Sequence, residues 1–278
     1  MRKTLIAAAV LLGLAACKKD HALPGAGAPA TPGTEVPAAD DRRTVLLKEI
    51  TASGLPGPLY RFSYDTAGYA TALDYAAGFH KYRIDYSNRR VTQMTNTQSG
   101  DVLRYDYRNG QVTAIRHFDS TGRRAWTYGF RYNPGGQLQE LRWYRCGPGA
   151  ADSLLERQVA LAWGADGNLA SWTDTLRVNG LMTPGNTTVY SDYDNGVNVD
   201  DFYLFRSFFE EVLYLPGVRL QRNNPRSIRI LGSINDYAID HTYSYAQGLP
   251  VLKTGRMRQT RGGNPGQEIS LRTSYSYY

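Results

Sequence analysis

The chain reads as all-β: an antiparallel meander of repeated hairpins forming a curled sheet or barrel-like shell, with one short helix. Three features predict this. From Leu103 to Arg108 apolar and charged residues alternate, the period of a strand with one packed and one wetted face. Asn109-Gly110 then supplies the left-handed backbone of a tight turn, and a second strand leaves from Val112. The same frame, an aromatic, a turn with glycine, then an aliphatic, recurs: its pivotal aromatics Tyr64, Tyr86, Tyr107 and Tyr132 lie 21 to 25 residues apart, the length of two strands and two turns. One stretch, Asp200 to Leu215, exchanges this period for helical spacing.

The chain opens with the layout of a secretory signal over residues 1–16. Arg2 and Lys3 precede an apolar run from Leu5 to Leu14, followed by Ala15 and Ala16. About ten apolar residues are half of what a spanning helix needs. Leu14-Ala15-Ala16-Cys17 resembles a bacterial lipoprotein box, which implies that Cys17 receives lipid and becomes the mature N-terminus. Acyl chains contribute about 0.8 kcal/mol per buried CH₂, so several hold a protein on a membrane. Residues 17–43 are then the lipidated cysteine and a Pro/Ala/Gly linker, too poor in large apolar groups to offset its ordering entropy. As a coil, about 26 such residues span roughly 25 to 30 Å.

The formal charge is +7, and removal of Arg2 and Lys3 lowers it to +5. Of 32 basic residues 26 are arginine, and they recur along the strands instead of clustering on one face. A nucleic-acid partner is therefore not expected; arginine stems cover apolar surface and their guanidinium groups stack on tyrosines. With Cys17 lipidated, Cys146 stands alone and no internal disulfide forms. It lies in Trp143-Tyr144-Arg145-Cys146-Gly147, a strand running into a loop, with no local group to activate a thiol.

A single β domain follows from 44 to 278. Thr44 to Ile50 is a first strand, and hairpins begin at Phe62, Ile84, Tyr105, Phe130, Leu161 and Tyr243. About seven repeats of two strands each give roughly fourteen to sixteen strands in sequential order. Val112 and Ile115 are three apart, so either a bulge follows the turn or both faces are partly apolar. This frame resembles the YD-repeat (Rhs-type) proteins, and more closely the YD-repeat-like secreted lipoproteins of Bacteroidota. The resemblance covers Thr44 to Tyr278, including Tyr190-Ser-Asp-Tyr-Asp-Asn-Gly-Val-Asn and Asn223-Asn-Pro-Arg-Ser-Ile. It implies a β-meander that curls and brings no catalytic residue. About seven repeats fall far short of the dozens with which Rhs shells enclose a toxin.

The helix is expected from Asp201 to Leu213. Phe202, Phe205, Phe209 and Val212 share a face, aspartates stand where a cap belongs, and Pro216-Gly217 stops it. That apolar face is expected to pack on the open end or concave face of the curled sheet.

Few residues point to chemistry. With Gly196 at the invariant glycine of a calcium loop, the odd positions before it hold Ser191, Tyr193 and Asn195 and not a carboxylate series, so no metal is expected. Asp200, Asp201, Glu210 and Glu211 could be paired as glycosidase acids, as could acids in any chain with 25 of them. No phosphate loop, zinc spacing or nucleophile elbow is present, and no cofactor is expected. Trp126, Trp143, Trp163 and Trp172 are the residue types that stack on sugars, with Trp143 and Trp172 the first candidates for binding; alternate aromatics also build a packed sheet face.

These readings combine into a lipid-anchored cell-envelope protein, of the outer membrane on its periplasmic or surface-exposed face. Its partners are the membrane and a glycan or another envelope component, and it acts as a non-catalytic binding or structural module. The alternatives are an envelope polysaccharide-acting hydrolase and an outer-membrane β-barrel. The aromatic C-terminus Tyr275-Ser276-Tyr277-Tyr278 favours the barrel, while Arg and Asp interrupting the strands on both faces count against it.

Overall fold

The computed structural model describes residues 44–147, 153–200, 212–215 and 217–278. The signal sequence, Cys17 and the linker lie outside the described residues. The first half comprises β1 (Leu47–Ala52), β2 (Tyr60–Tyr64), β3 (Ala70–Tyr75), β4 (His80–Ser87), β5 (Arg90–Asn96), β6 (Val102–Arg108), β7 (Gln111–Phe118) and β8 (Arg124–Tyr132). The second comprises β9 (Leu138–Cys146), β10 (Ser153–Trp163), β11 (Leu169–Val178), β12 (Leu181–Val197), β13 (Asn223–Leu231), β14 (Asp236–Ala246), β15 (Leu249–Arg261) and β16 (Glu268–Tyr277).

Each strand pairs antiparallel with the one before it, and β1 pairs with β16 through Leu47↔Tyr277 and Ile50↔Tyr275. The meander is a closed barrel, which leaves no sheet edge open to aggregation. Because direction alternates, the eight turns that leave odd-numbered strands share one end. The other connections lie at the opposite end with Thr44 and Tyr278.

The Val112–Ile115 spacing is a bulge. Tyr107 pairs with Val112 and Tyr105 with Ile115, so β7 carries one extra residue just after the turn at Asn109 and Gly110, both of which have positive φ. Both aliphatics are buried. The pattern repeats as Tyr64↔Ala70 with Phe62↔Leu73, Tyr86↔Val91 with Ile84↔Met94, and Tyr132↔Leu138 with Phe130↔Leu141. It returns as Trp163↔Leu169 with Leu161↔Trp172, and as Tyr245↔Pro250 with Tyr243↔Lys253. The repeat is therefore an aromatic, a turn, an inward residue, a bulge and a second inward residue three positions on. Each bulge raises the local twist, which curls the sheet toward closure.

The two faces differ in polarity. The inward residues of β1 to β9, among them Ile50, Phe62, Leu73, Tyr82, Met94 and Leu141, are buried in one apolar cluster. Removing each such side chain from water contributes about 1.5–3 kcal/mol. The outward positions carry charge, joined within or across strands as Arg61–Glu49, Arg83–Asp85 and Arg116–Asp106. Glu140 accepts from both Arg131 and Arg142. Glu140 is itself buried, whereas the exposed pairs add little stability but keep the outer wall wetted.

Most of the helix expected over Asp201–Leu213 lies outside the described residues. Its last two positions, Val212 and Leu213, are not helical, and no helix occurs among the described residues.

Candidate functional site

The barrel interior holds side chains of its own wall and, among the described residues, part of the connection between β12 and β13. Val199, Val212, Leu213, Tyr214, Leu215 and Leu220 of that connection are buried in the same cluster as the strand side chains. Two tyrosines of the wall hold it there. Tyr82 Oη accepts a hydrogen bond from the Val212 amide at 3.0 Å, and Tyr105 Oη donates to the Tyr214 carbonyl at 2.7 Å. A water-excluded backbone needs such partners, and the sequence offers them as the inward tyrosines of β4 and β6. The concave face receives Val212 to Leu215, while Phe202, Phe205 and Phe209 of the helix face expected to pack there lie outside the described residues.

The neck of the connection is built from the end of β12 and the start of β13. Tyr193 pairs with Pro225 and Val197 with Asn223. Asp194 Oδ1 accepts from the amides of Gly196 and Asn224, while Tyr245 Oη donates to Asp194 Oδ2. Asn224 Nδ2 donates to the Val197 carbonyl and to Tyr245 Oη. On the returning side, buried Asn168 accepts from the Arg222 and Asn223 amides at 2.7 and 3.0 Å.

Beside the neck the wall turns polar. Lys253 stands at the second inward position of its hairpin, where the other five hairpins place Leu73, Met94, Ile115, Leu141 and Trp172. Its Nζ lies 2.6 Å from Asp200 Oδ2, which also accepts from Tyr275 Oη at 2.7 Å. His241 lies on the same inward face; burial, and then the charge of Lys253, lower its pKa from 6.5 to about 4. Burial also raises the hydroxyl of Tyr243 far above the ordinary tyrosine range. Lys253 was legible as a departure from the repeat, a charged residue three positions after Pro250. Its partner Asp200 was visible only as one acid among several.

The tryptophans are structural to different degrees. Trp143 is 5% exposed, with the Tyr128 ring against it edge-on at 6.1 Å and the Arg157 guanidinium over its face at 4.6 Å. Arg157 in turn donates to both oxygens of Asp174 at 2.6 and 2.7 Å. The expectation that Trp143 offers a stacking face to a ligand is thereby corrected: protein groups cover the ring. Trp172 is half-buried, edge-on to Tyr190 at 5.6 Å. Cys146 is half-buried at the end of β9, with its Sγ 3.5 Å from Thr127 Oγ1. Asp194 and Asp200 already bind protein donors, and no group of three metal-ligating side chains occurs among the described residues. Asp201, Glu210 and Glu211 lie outside the described residues. A shallow cleft of about 310 Å³ is lined by Asp166, Asn168, Tyr190, Asp192 and Tyr193.

No family model and no curated protein matches the chain. Solved structures do. A porin-like protein from Bacteroides uniformis ATCC 8492 aligns with a TM-score of 0.54 at 14% identity, covering 79% of this chain and 89% of its own. A porin-like protein from Bacteroides vulgatus ATCC 8482 aligns with a TM-score of 0.52 at 14% identity, covering 84% of this chain and 99% of its own. At this identity the likeness is one of fold, a barrel shared over most of both chains.

Proposed function

We propose that the protein is a cell-envelope lipoprotein whose filled barrel stands in water beside the membrane to which Cys17 tethers it, as a non-catalytic binding or structural module for another envelope component. The observation that carries this reading is the outer face of the wall from β1 to β9, which carries ion pairs around an apolar inner cluster. A lipid-facing barrel needs the reverse, and each Arg or Lys at the bilayer midplane costs roughly 2–4 kcal/mol. The filled interior argues likewise against a conducting pore. On this reading the chain belongs with the YD-repeat-like secreted lipoproteins that its repeats resemble.

The shared architecture with two porin-like proteins favours a second reading, an outer-membrane barrel. One set of measurements separates the two. The chain from Lys18 onward, which lacks the lipid site, is expected to purify without detergent and to leave the conductance of a planar bilayer unchanged. Radiolabelled palmitate is expected to mark the full-length protein in cells and not its Cys17→Ser variant. A requirement for detergent together with conductance steps would establish the membrane-spanning reading, and label retained by Cys17→Ser would remove the tether.

A further inference from the structure

Among the described residues, the exposed large apolar side chains gather at one end of the barrel, that of the turns leaving odd-numbered strands. Leu55, Phe79, Leu181 and Ile234 lie on or beside those turns, 45%, 48%, 73% and 62% exposed. Leu154, Val178, Leu231 and Ile269 occupy the last or second residue of strands that meet the same turns. Among the described residues the opposite end exposes Val197, Tyr245 and Tyr278, and the Tyr245 hydroxyl is engaged by Asp194 and Asn224. A single exposed leucine is ordinary. Segregation to one end of a wall otherwise covered with charge is not.

The two most exposed of these residues sit on turns clamped by arginine. Arg177 donates to the carbonyls of Leu155 and Gly180, each at 2.6 Å, beside Leu181. Arg261 is held by Asp236 at 2.7 Å and donates to the carbonyls of Gly232, Ser233 and Ile234. Turn carbonyls that a loop ordinarily leaves to water thus have protein partners, and the apolar tips are fixed in place. A turn entering a water-poor layer needs both: its backbone groups must be satisfied internally, and a preorganised contact loses less freedom on binding.

We propose that this end of the barrel docks on a lipid surface, with Leu181 and Ile234 in the boundary between headgroups and acyl chains and Arg177 and Arg261 at headgroup level. The inference deepens the reading of the barrel as an envelope protein standing in water. Separate tips on a ring fit a fluid partner better than a second copy, because acyl chains fill the gaps between protrusions that an identical rim would leave open. The tether permits the orientation. Strands of about ten residues at 3.3 Å each, tilted by about 35–45°, make a wall roughly 23–27 Å tall, close to the roughly 25–30 Å span expected if the 26 residues before Thr44 behave as a coil. Intramolecular capture is most effective when linker and span match.

The test is sedimentation of the chain from Lys18 onward with vesicles of phosphatidylethanolamine and phosphatidylglycerol at about 3:1. The wild type is expected to pellet with the vesicles. Leu181→Ser combined with Ile234→Ser is expected to lower the partition coefficient about tenfold or more, since two apolar side chains leave the interface. Val197→Ser, at the other end, leaves it unchanged. Wild-type protein that stays in the supernatant, or a double variant that pellets as well as wild type, overturns the proposal. So does a wild-type dimer in light scattering that the double variant loses, since this end is then a contact between copies. Vesicle binding can fail while the barrel remains soluble and silent in a bilayer, so this outcome is distinct from failure of the functional reading.

Discussion

Lys253 Nζ lies 2.6 Å from Asp200 Oδ2 inside the barrel wall, at a position that five other hairpins of the chain fill with an apolar side chain. The pair ties β15 to the start of the connection between β12 and β13, whose described residues Val212 to Leu215 are buried inside. Its two side chains are 20% and 18% exposed, so its disruption falls between the surface and the buried cases. Lys253→Met alone leaves Asp200 without its cation and is expected to destabilise the barrel by about 2 kcal/mol. Adding Asp200→Asn should restore most of that loss, because the apolar residue then occupies the slot as in the other hairpins. Urea unfolding of the two single variants and the double variant checks this; full additivity would show that the groups are not coupled.

Trp143 is expected to matter through packing. Trp143→Ala removes a buried ring and the face on which Arg157 rests, and such deletions cost about 3–5 kcal/mol. Trp172→Ala, at a half-buried position, should cost visibly less. Denaturation midpoints of the two variants, measured at one pH and salt concentration, test the ranking.

The hydroxyl of Tyr105 is the partner of a carbonyl within the filling segment. Tyr105→Phe keeps the ring and removes the donor, leaving the Tyr214 carbonyl short of a hydrogen bond in a dry site. A loss of about 1–3 kcal/mol is expected. Hydrogen exchange should localise it: the Val212 amide, held by Tyr82, is expected to exchange faster in the variant while strand amides of β1 and β16 keep their order of protection.

His241 makes stability depend on pH. Its folded-state pKa of about 4 lies below the ordinary 6.5 because burial and the Lys253 charge disfavour the imidazolium. Between these values the unfolded chain binds more protons than the folded one, so stability is complete above about pH 6.5 and falls as pH drops toward 4. His241→Phe removes this contribution and should flatten the thermal midpoint between pH 7 and pH 4.5 relative to wild type. Equal slopes in the two proteins would assign the acid sensitivity to the carboxylates.

The sequence by itself determined what neighbouring residues decide. Alternation at Leu103 to Arg108, the Asn109-Gly110 turn and the three-residue spacing of Val112 and Ile115 are local steric facts, so the hairpins, their sequential order and the all-β class were legible. The choice between a bulge and two apolar faces was not, since it depends on which residues the opposite strand presents; Tyr105 and Tyr107 settle it. Closure was beyond reach for the same reason at longer range, because it joins Ile50 to Tyr275, edges whose complementarity no local pattern records. The tertiary structure also decided the environment of single residues. Trp143 reads equally as a platform or as core until Arg157 and Tyr128 are placed around it. Lys253 in an apolar slot reads as a misfit until Asp200, fifty-three residues earlier, supplies its counter-charge. The apolar rim belongs to this second class, since Leu181 and Ile234 are unremarkable in a linear chain and become one surface only when alternating strands bring their turns to the same end.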